Sequence, residues 1–125
     1  MRNALEIALC AAKAADGKKA FDILILDLRC LTSITDYFVI CSGSSTTQVG
    51  AVTDGIAGAL ARCNVHPSHI EGEAEARWIL MDYGDVVVHI FDEETRAYYG
   101  LERLWGDAPR IPVVMDVPVL QSVSS

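Results

Sequence analysis

Apolar and polar positions alternate through RWILMDYGDVVVHIF, Arg77 to Phe91, on either side of a Tyr-Gly-Asp turn. Alternation with a period of two predicts paired strands, and Gly84-Asp85 suits a two-residue hairpin loop with glycine in the first central place. An even-length loop puts Trp78, Leu80 and Asp82 on one face with Val87, His89 and Phe91. The opposite face then carries Ile79, Met81, Val86, Val88 and Ile90, a plain core set. Upstream, FDILILDL (Phe21 to Leu28) contains four consecutive aliphatics, Ile23 to Leu26, and predicts a strand buried on both faces. YFVIC, Tyr37 to Cys41, predicts a second buried strand. A third runs from Val65 towards Glu71, pushed to an edge by Pro67.

Helical spacing appears three times. Leu5, Ala8, Leu9 and Ala12 mark a first helix, which Asn3 can cap and Asp16-Gly17 can end. Val49, Val52, Ile56 and Leu60 mark a second, entered through a Ser45–Gln48 capping box and closed by Asn64 in the left-handed conformation. Gly50, Gly55 and Gly58 lower its propensity, which close helix–sheet packing would offset. Asp92, Glu93 and Glu94 open the last helix, where acids suit the positive end of the dipole. Tyr98, Tyr99, Leu101, Leu104 and Trp105 crowd its end, and Leu104 and Trp105 are expected to fill the core beside it. The order α-β-β-α-β-β-β-α predicts an α/β fold, a mixed sheet of about five strands with flanking helices. Residues 1–109 form its single domain. Residues 110–125, with two prolines and weak periodicity, are expected to be an extended or disordered C-terminal extension.

The 125-residue length fits one hydrophobic core. A net charge of −7 argues against non-specific nucleic-acid binding, which runs on Lys and Arg at phosphates, and leaves room for a basic protein partner. Cys10, Cys30, Cys41 and Cys63 lie far apart without a C-x-x-C, so reduced thiols in a cytoplasmic protein are expected. The first apolar run is interrupted by Glu6 and Lys13 and is too short to span a bilayer.

Catalytic signals are weak. His89 and Asp82 share a strand face, but no Ser or Cys nucleophile lies beside them in the sequence. His66 and His69 lack the further ligands that zinc requires, and their spacing on an extended segment turns them apart. SGSS, Ser42 to Ser45, precedes a helix as an anion-binding turn does, without the lysine of a P-loop. Gly43-Ser44 also has the form of a nucleotidyltransferase entry, but its sequence neighbourhood supplies only Asp54 and not the paired carboxylates that hold Mg²⁺. By contrast, Trp78, Tyr83, Phe91, Tyr98, Tyr99 and Trp105 concentrate aromatic surface in the last third of the chain, as interfaces do.

LDLRCLTSITDYFVICSGSSTTQV, EGEAEARWILMDYGDVVVHIF and RAYYGLERLWGDAP, in that order, resemble the ribosomal silencing factor (Iojap-like) family from about Ala4 to Pro109. The resemblance implies a nucleotidyltransferase-like fold without the catalytic carboxylates, and a protein that is not an enzyme and needs no cofactor or metal. It implies binding to the large ribosomal subunit through the large-subunit ribosomal protein numbered fourteen. That binding would block subunit joining and repress translation, notably when nutrients fall, and the free protein would be a homodimer. The family's W-x-L-x-D-Y-G-D segment falls on Trp78, Leu80, Asp82, Tyr83, Gly84 and Asp85. Its later Tyr and L-E-R/K-L-W fall on Tyr99 and on Leu101 to Trp105. The expected contact therefore uses Trp78 and Tyr83 as apolar anchors with Leu80 and Tyr99, Asp82 and Asp85 as acceptors, and Gly84 in the turn. His89 would support this face from behind. The runner-up is a nucleotidyltransferase-like nucleotide-binding enzyme using Gly43-Ser44.

Overall fold

Two antiparallel hairpins meet along a central pair of parallel strands. The computed structural model describes residues 3–113. Its elements are α1 (Ala4–Gly17), β1 (Phe21–Asp27), β2 (Tyr37–Gly43), α2 (Thr46–Ala61), β3 (His69–Glu71), β4 (Trp78–Asp82), β5 (Val86–Asp92), α3 (Glu93–Tyr99), α4 (Leu101–Leu104) and β6 (Arg110–Ile111). The sheet order is β3-β4-β5-β2-β1-β6. β2 and β5 pair in parallel from Tyr37–Val86 to Gly43–Asp92, and every other pairing is antiparallel. β5 is buried along its whole length, as a central strand covered on both faces should be.

Each face has its own core. On one, α1 and α2 cover Ile25, Val39, Cys41, Ile79, Met81, Val88 and Ile90. α2 contributes Val49, Val52, Ile56 and Leu60, the expected stripe. α1 buries Ala8, Ala11, Ala12 and Ala15, so the helix is turned from the expected face and Leu9 is left 36% exposed. Small side chains there let the helix axis lie close to the sheet. On the other face Leu26, Leu28, Ile40, Phe91 and Ala108 form a smaller core with Phe38, Trp78, Leu101 and Trp105. None of the described helices is long and apolar enough to cross a membrane.

The helix ends show how local chemistry was redistributed. The full capping box sits at Asn3, whose Oδ1 accepts from Glu6 N at 2.8 Å while Glu6 Oε1 accepts from Asn3 N at 3.1 Å. At α2 only half of the expected box forms. Ser45 Oγ accepts from Gln48 N, but the Gln48 amide accepts from Ser44 Oγ at 2.7 Å and donates to Lys19 O at 3.0 Å, tying α2 to the end of α1. Gly17 stays inside α1, and Lys19 takes the left-handed conformation (φ 69°). Asn64 (φ 61°) does close α2, with Val65 N donating to Leu60 O.

Helix–sheet packing does not explain the glycines of α2. A Cβ on Gly50 would meet nothing, one on Gly58 only Arg62, and one on Gly55 the Lys18 side chain at the end of α1. The last helix is split in two by Gly100 (φ 56°), and Leu104 is 77% exposed rather than core. The sheet has a sixth strand where the extension was expected to begin. Arg110 and Ile111 pair with Leu26 and Ile25, and Asp27 N donates to Pro109 O at 2.8 Å. The rest of the expected extension, beyond residue 113, lies outside the described residues.

Candidate functional site

The hairpin β4–β5 closes as the pattern predicts. Tyr83 N donates to Val86 O at 2.9 Å across a two-residue loop, Gly84 has φ 87°, and Gly84 N donates to Asp82 Oδ1 at 2.8 Å. The Asp85 carbonyl accepts from Asp36 N and Tyr37 N, which pins the β1–β2 connection to the turn. Trp78 pairs with Phe91, Leu80 with His89 and Asp82 with Val87, so these six side chains share one face. β3 extends that face outward, setting Glu71 beside Leu80 and His69 beside Asp82.

This arrangement divides the expected contact residues. Trp78 and Tyr99 come together, with ring centroids 4.9 Å apart. Leu80 and Asp82 continue the same face, both half-buried. Tyr83 is on the other face, its ring packed against the core under α1. Burial pushes its phenol up to about 12, and its hydroxyl has no hydrogen-bond partner among the described residues. Gly84 and Asp85 are exposed at the far end of the hairpin, roughly 20 Å from Trp78 at the usual strand rise. Trp78 and Tyr83 therefore do not form one patch.

His89 stands behind Trp78. Trp78 Nε1–H donates to His89 Nδ1 at 3.1 Å, and the indole stacks on Phe91 at 4.9 Å. Phe38 meets the imidazole edge-on at 4.5 Å. The imidazole is 4% exposed, and burial pushes its pKa down to about 4, so it is neutral at physiological pH. Asp82 does not orient it: that carboxylate caps the turn and lies 3.8 Å from His69, whose other nitrogen is 2.9 Å from Glu71. His69 is thus flanked on opposite sides by acids. No group of three or more His, Cys, Asp or Glu placed to hold a metal occurs among the described residues.

Two features lie beyond the hairpin. The first is a run of exposed apolar groups on α3 and α4: Tyr98 (80% exposed), Tyr99 (55%) and Leu104. The adjacent tyrosines just before Gly100 were the available signal, since a helix break there turns both outward. The second is a cleft joining Ser44, Ser45 and Thr46 to Arg77, Asp92, Glu93 and Glu94. Parallel pairing of Gly43 with Asp92 brings these acids to Ser44. Asp92 itself caps α3 through Thr95 N at 2.7 Å and lies 3.6 Å from Arg77.

A family model described as ribosomal silencing factor during starvation matches residues 1–124. The chain is 47% identical over 107 residues to the ribosomal silencing factor of Bacillus subtilis, covering 86% of this chain and 91% of that one. It is 42% identical to the one from Halalkalibacterium halodurans over 85% of this chain and 91% of that one. An X-ray structure of a Chromobacterium violaceum protein superposes with a TM-score of 0.82 at 32% identity, covering 94% of this chain and 97% of the other.

Proposed function

Since the chain belongs to the ribosomal silencing factor family, we propose that it represses translation by binding the large ribosomal subunit and blocking its joining to the small one, above all when nutrients are short. The large-subunit ribosomal protein numbered fourteen is the proposed docking partner. The cytoplasm is the compartment, and the free protein pairs with itself. The observation that carries this reading is the second face of the sheet, where Trp78, Leu80, Asp82 and Tyr99 lie on one side and keep solvent access. An aromatic anchor with aliphatic and acidic neighbours suits a basic protein surface, and the net charge of −7 favours that partner over bare RNA. Tyr83 shapes the hairpin from the core side, while Gly84 and Asp85 bound the contact at its far end.

Co-sedimentation with purified large subunits tests the docking. Trp78→Ala and Tyr99→Ala should each weaken binding, the first by about 2 kcal/mol or roughly thirty-fold. Full-strength binding by both variants, with their melting recorded alongside, would remove this face as the contact.

A second reading, a nucleotide-binding enzyme, draws on the cleft that places three carboxylates beside Ser44. The engagement of Asp92 as a helix cap favours the silencing role. Nucleoside triphosphates with Mg²⁺ should remain intact on incubation, and turnover abolished by Ser44→Ala would reverse the order of the two readings.

A further inference from the structure

Beside Trp78, the β3–β4 loop and α3 enclose a cleft of about 460 Å³ lined by Gly72, Glu75, Trp78, Glu94, Tyr98 and Tyr99. Its aromatic wall is continuous: Tyr99 lies 4.9 Å from Trp78, and Tyr98 meets Tyr99 edge-on at 5.0 Å. The opposite wall is held in place by its backbone. Gly72 has φ 88°, and the Trp78 carbonyl occupies the place a Cβ would take. Ala76 N donates to Gly72 O at 2.9 Å, closing the loop into a turn. Arg77 also borders the cleft, with its guanidinium 3.6 Å from Asp92. Glu75 and Glu94 are exposed and form no ion pair among the described residues.

Three aromatic rings, whose faces carry negative quadrupoles, line the cleft beside two carboxylates that form no ion pair among the described residues, and the bordering guanidinium of Arg77 lies against Asp92 instead. Such a space attracts a cation and repels an anion. An uncharged apolar segment would cover the rings but leave both carboxylates uncompensated. A planar guanidinium can stack on a ring and donate to a carboxylate at once, which an ammonium does less well. We infer that this cleft receives an arginine side chain from the protein partner, held by Trp78, Tyr98 and Tyr99 through their faces and by Glu75 and Glu94 through charge. The inference rests on the docking reading above and names the chemistry that the partner presents to this part of the surface.

Two measurements on the full chain test it. In the first, acetylated and amidated Gly-Arg-Gly, Gly-Lys-Gly and Gly-norleucine-Gly are titrated against the protein by NMR. Saturating shifts at Gly72, Tyr98 and Tyr99 are expected, strongest with arginine and absent with norleucine. Equal shifts with the arginine and norleucine peptides would overturn the inference. In the second, the Glu75→Gln/Glu94→Gln double variant and Tyr98→Ala, all at exposed positions, are compared with wild type for large-subunit binding and thermal melting. Wild-type melting with about tenfold weaker binding at low salt is expected, together with a flatter salt dependence in the double variant. If both variants bind as wild type while Trp78→Ala does not, docking stands and the arginine site falls. If wild type itself fails to bind subunits, the docking reading falls and the peptide selectivity alone decides the cleft.

Discussion

Lowering the pH through the ordinary histidine range is expected to weaken the second face of the sheet at His89. The imidazole is enclosed by Phe38, Trp78 and Phe91 and paired across the strands with Leu80 and Ile40, and burial is the cause of its depressed pKa. Its Nδ1 accepts from Trp78 Nε1, so the proton of the neutral ring sits on Nε2, a buried atom without a partner among the described residues. Adding a second proton would charge a desolvated ring and turn its acceptor into a donor facing another donor. The unfolded chain takes up that proton near 6.5, whereas the folded chain stays neutral down to about 4. The stabilising contribution is therefore complete above 6.5 and is lost as the pH falls from 6.5 through 4.

The full span corresponds to roughly 3 kcal/mol, of which about 2 kcal/mol is lost by about pH 5. That is a large share of the stability of a small domain. Urea unfolding at about pH 7.5 and about pH 5, on wild type and on His89→Asn, separates this group from the carboxylates common to both proteins. Asparagine keeps an acceptor for the Trp78 indole and does not titrate. Wild type should lose about 2 kcal/mol more than the variant over that interval. Equal losses in the two proteins would refute the reasoning, because the neutral, desolvated imidazole would then carry no pH-dependent cost.

Other outcomes follow from single contacts. Arg96, 8% exposed, donates to Asp22 O, Ser42 Oγ and Glu102 Oε2, so Arg96→Met should cost about 3 kcal/mol or more in urea unfolding by stranding those acceptors; a loss under about 1 kcal/mol would contradict it. Gly72→Ala should destabilise far more than Gly84→Ala, although both have φ near 90°, because only the first drives a Cβ into backbone. The second should cost about 1 kcal/mol of conformational strain, and equal melting shifts would count against the clash. Lys19→Gly should stabilise by about 1 kcal/mol by relieving the left-handed residue that ends α1, checked by thermal melting, with no gain as the contrary result.

The readable parts of the fold were those fixed by short-range pattern. Ile23–Leu26 and Tyr37–Cys41 announce strands by aliphatic runs, and the Gly84-Asp85 loop sets the faces of Trp78 and His89 by parity alone. What resisted reading depends on distant partners. Nothing near Gly43 in the chain reveals that Asp92 lies beside it, so the acids near Ser44 and the cleft they share were out of sight. Arg110–Ile111 is two residues long, too short to show a period, and becomes a strand only because β1 offers a free edge. Tyr83 reads as an anchor beside Trp78 in sequence, yet the odd spacing turns it to the core. Lys19 adopts the conformation expected of Gly17 because α1 continues one turn-defining step further, where Gln48 receives its end.

The strand order has a consequence for how the chain holds together as an object. Divide it in the loop between Gly72 and Arg77: one piece carries β1, β2 and β3, the other β4, β5 and β6. In the sheet these pieces alternate, meeting at the β3–β4, β5–β2 and β1–β6 seams. Alone, each keeps one hairpin and one strand that has no neighbour of its own, and each hairpin lacks the other face of the parallel pair. The halves are interlocked like two combs, so neither is a smaller domain and neither can leave without dissolving three seams at once. A molecule cleaved in that exposed loop is expected to stay assembled and to unfold as one unit.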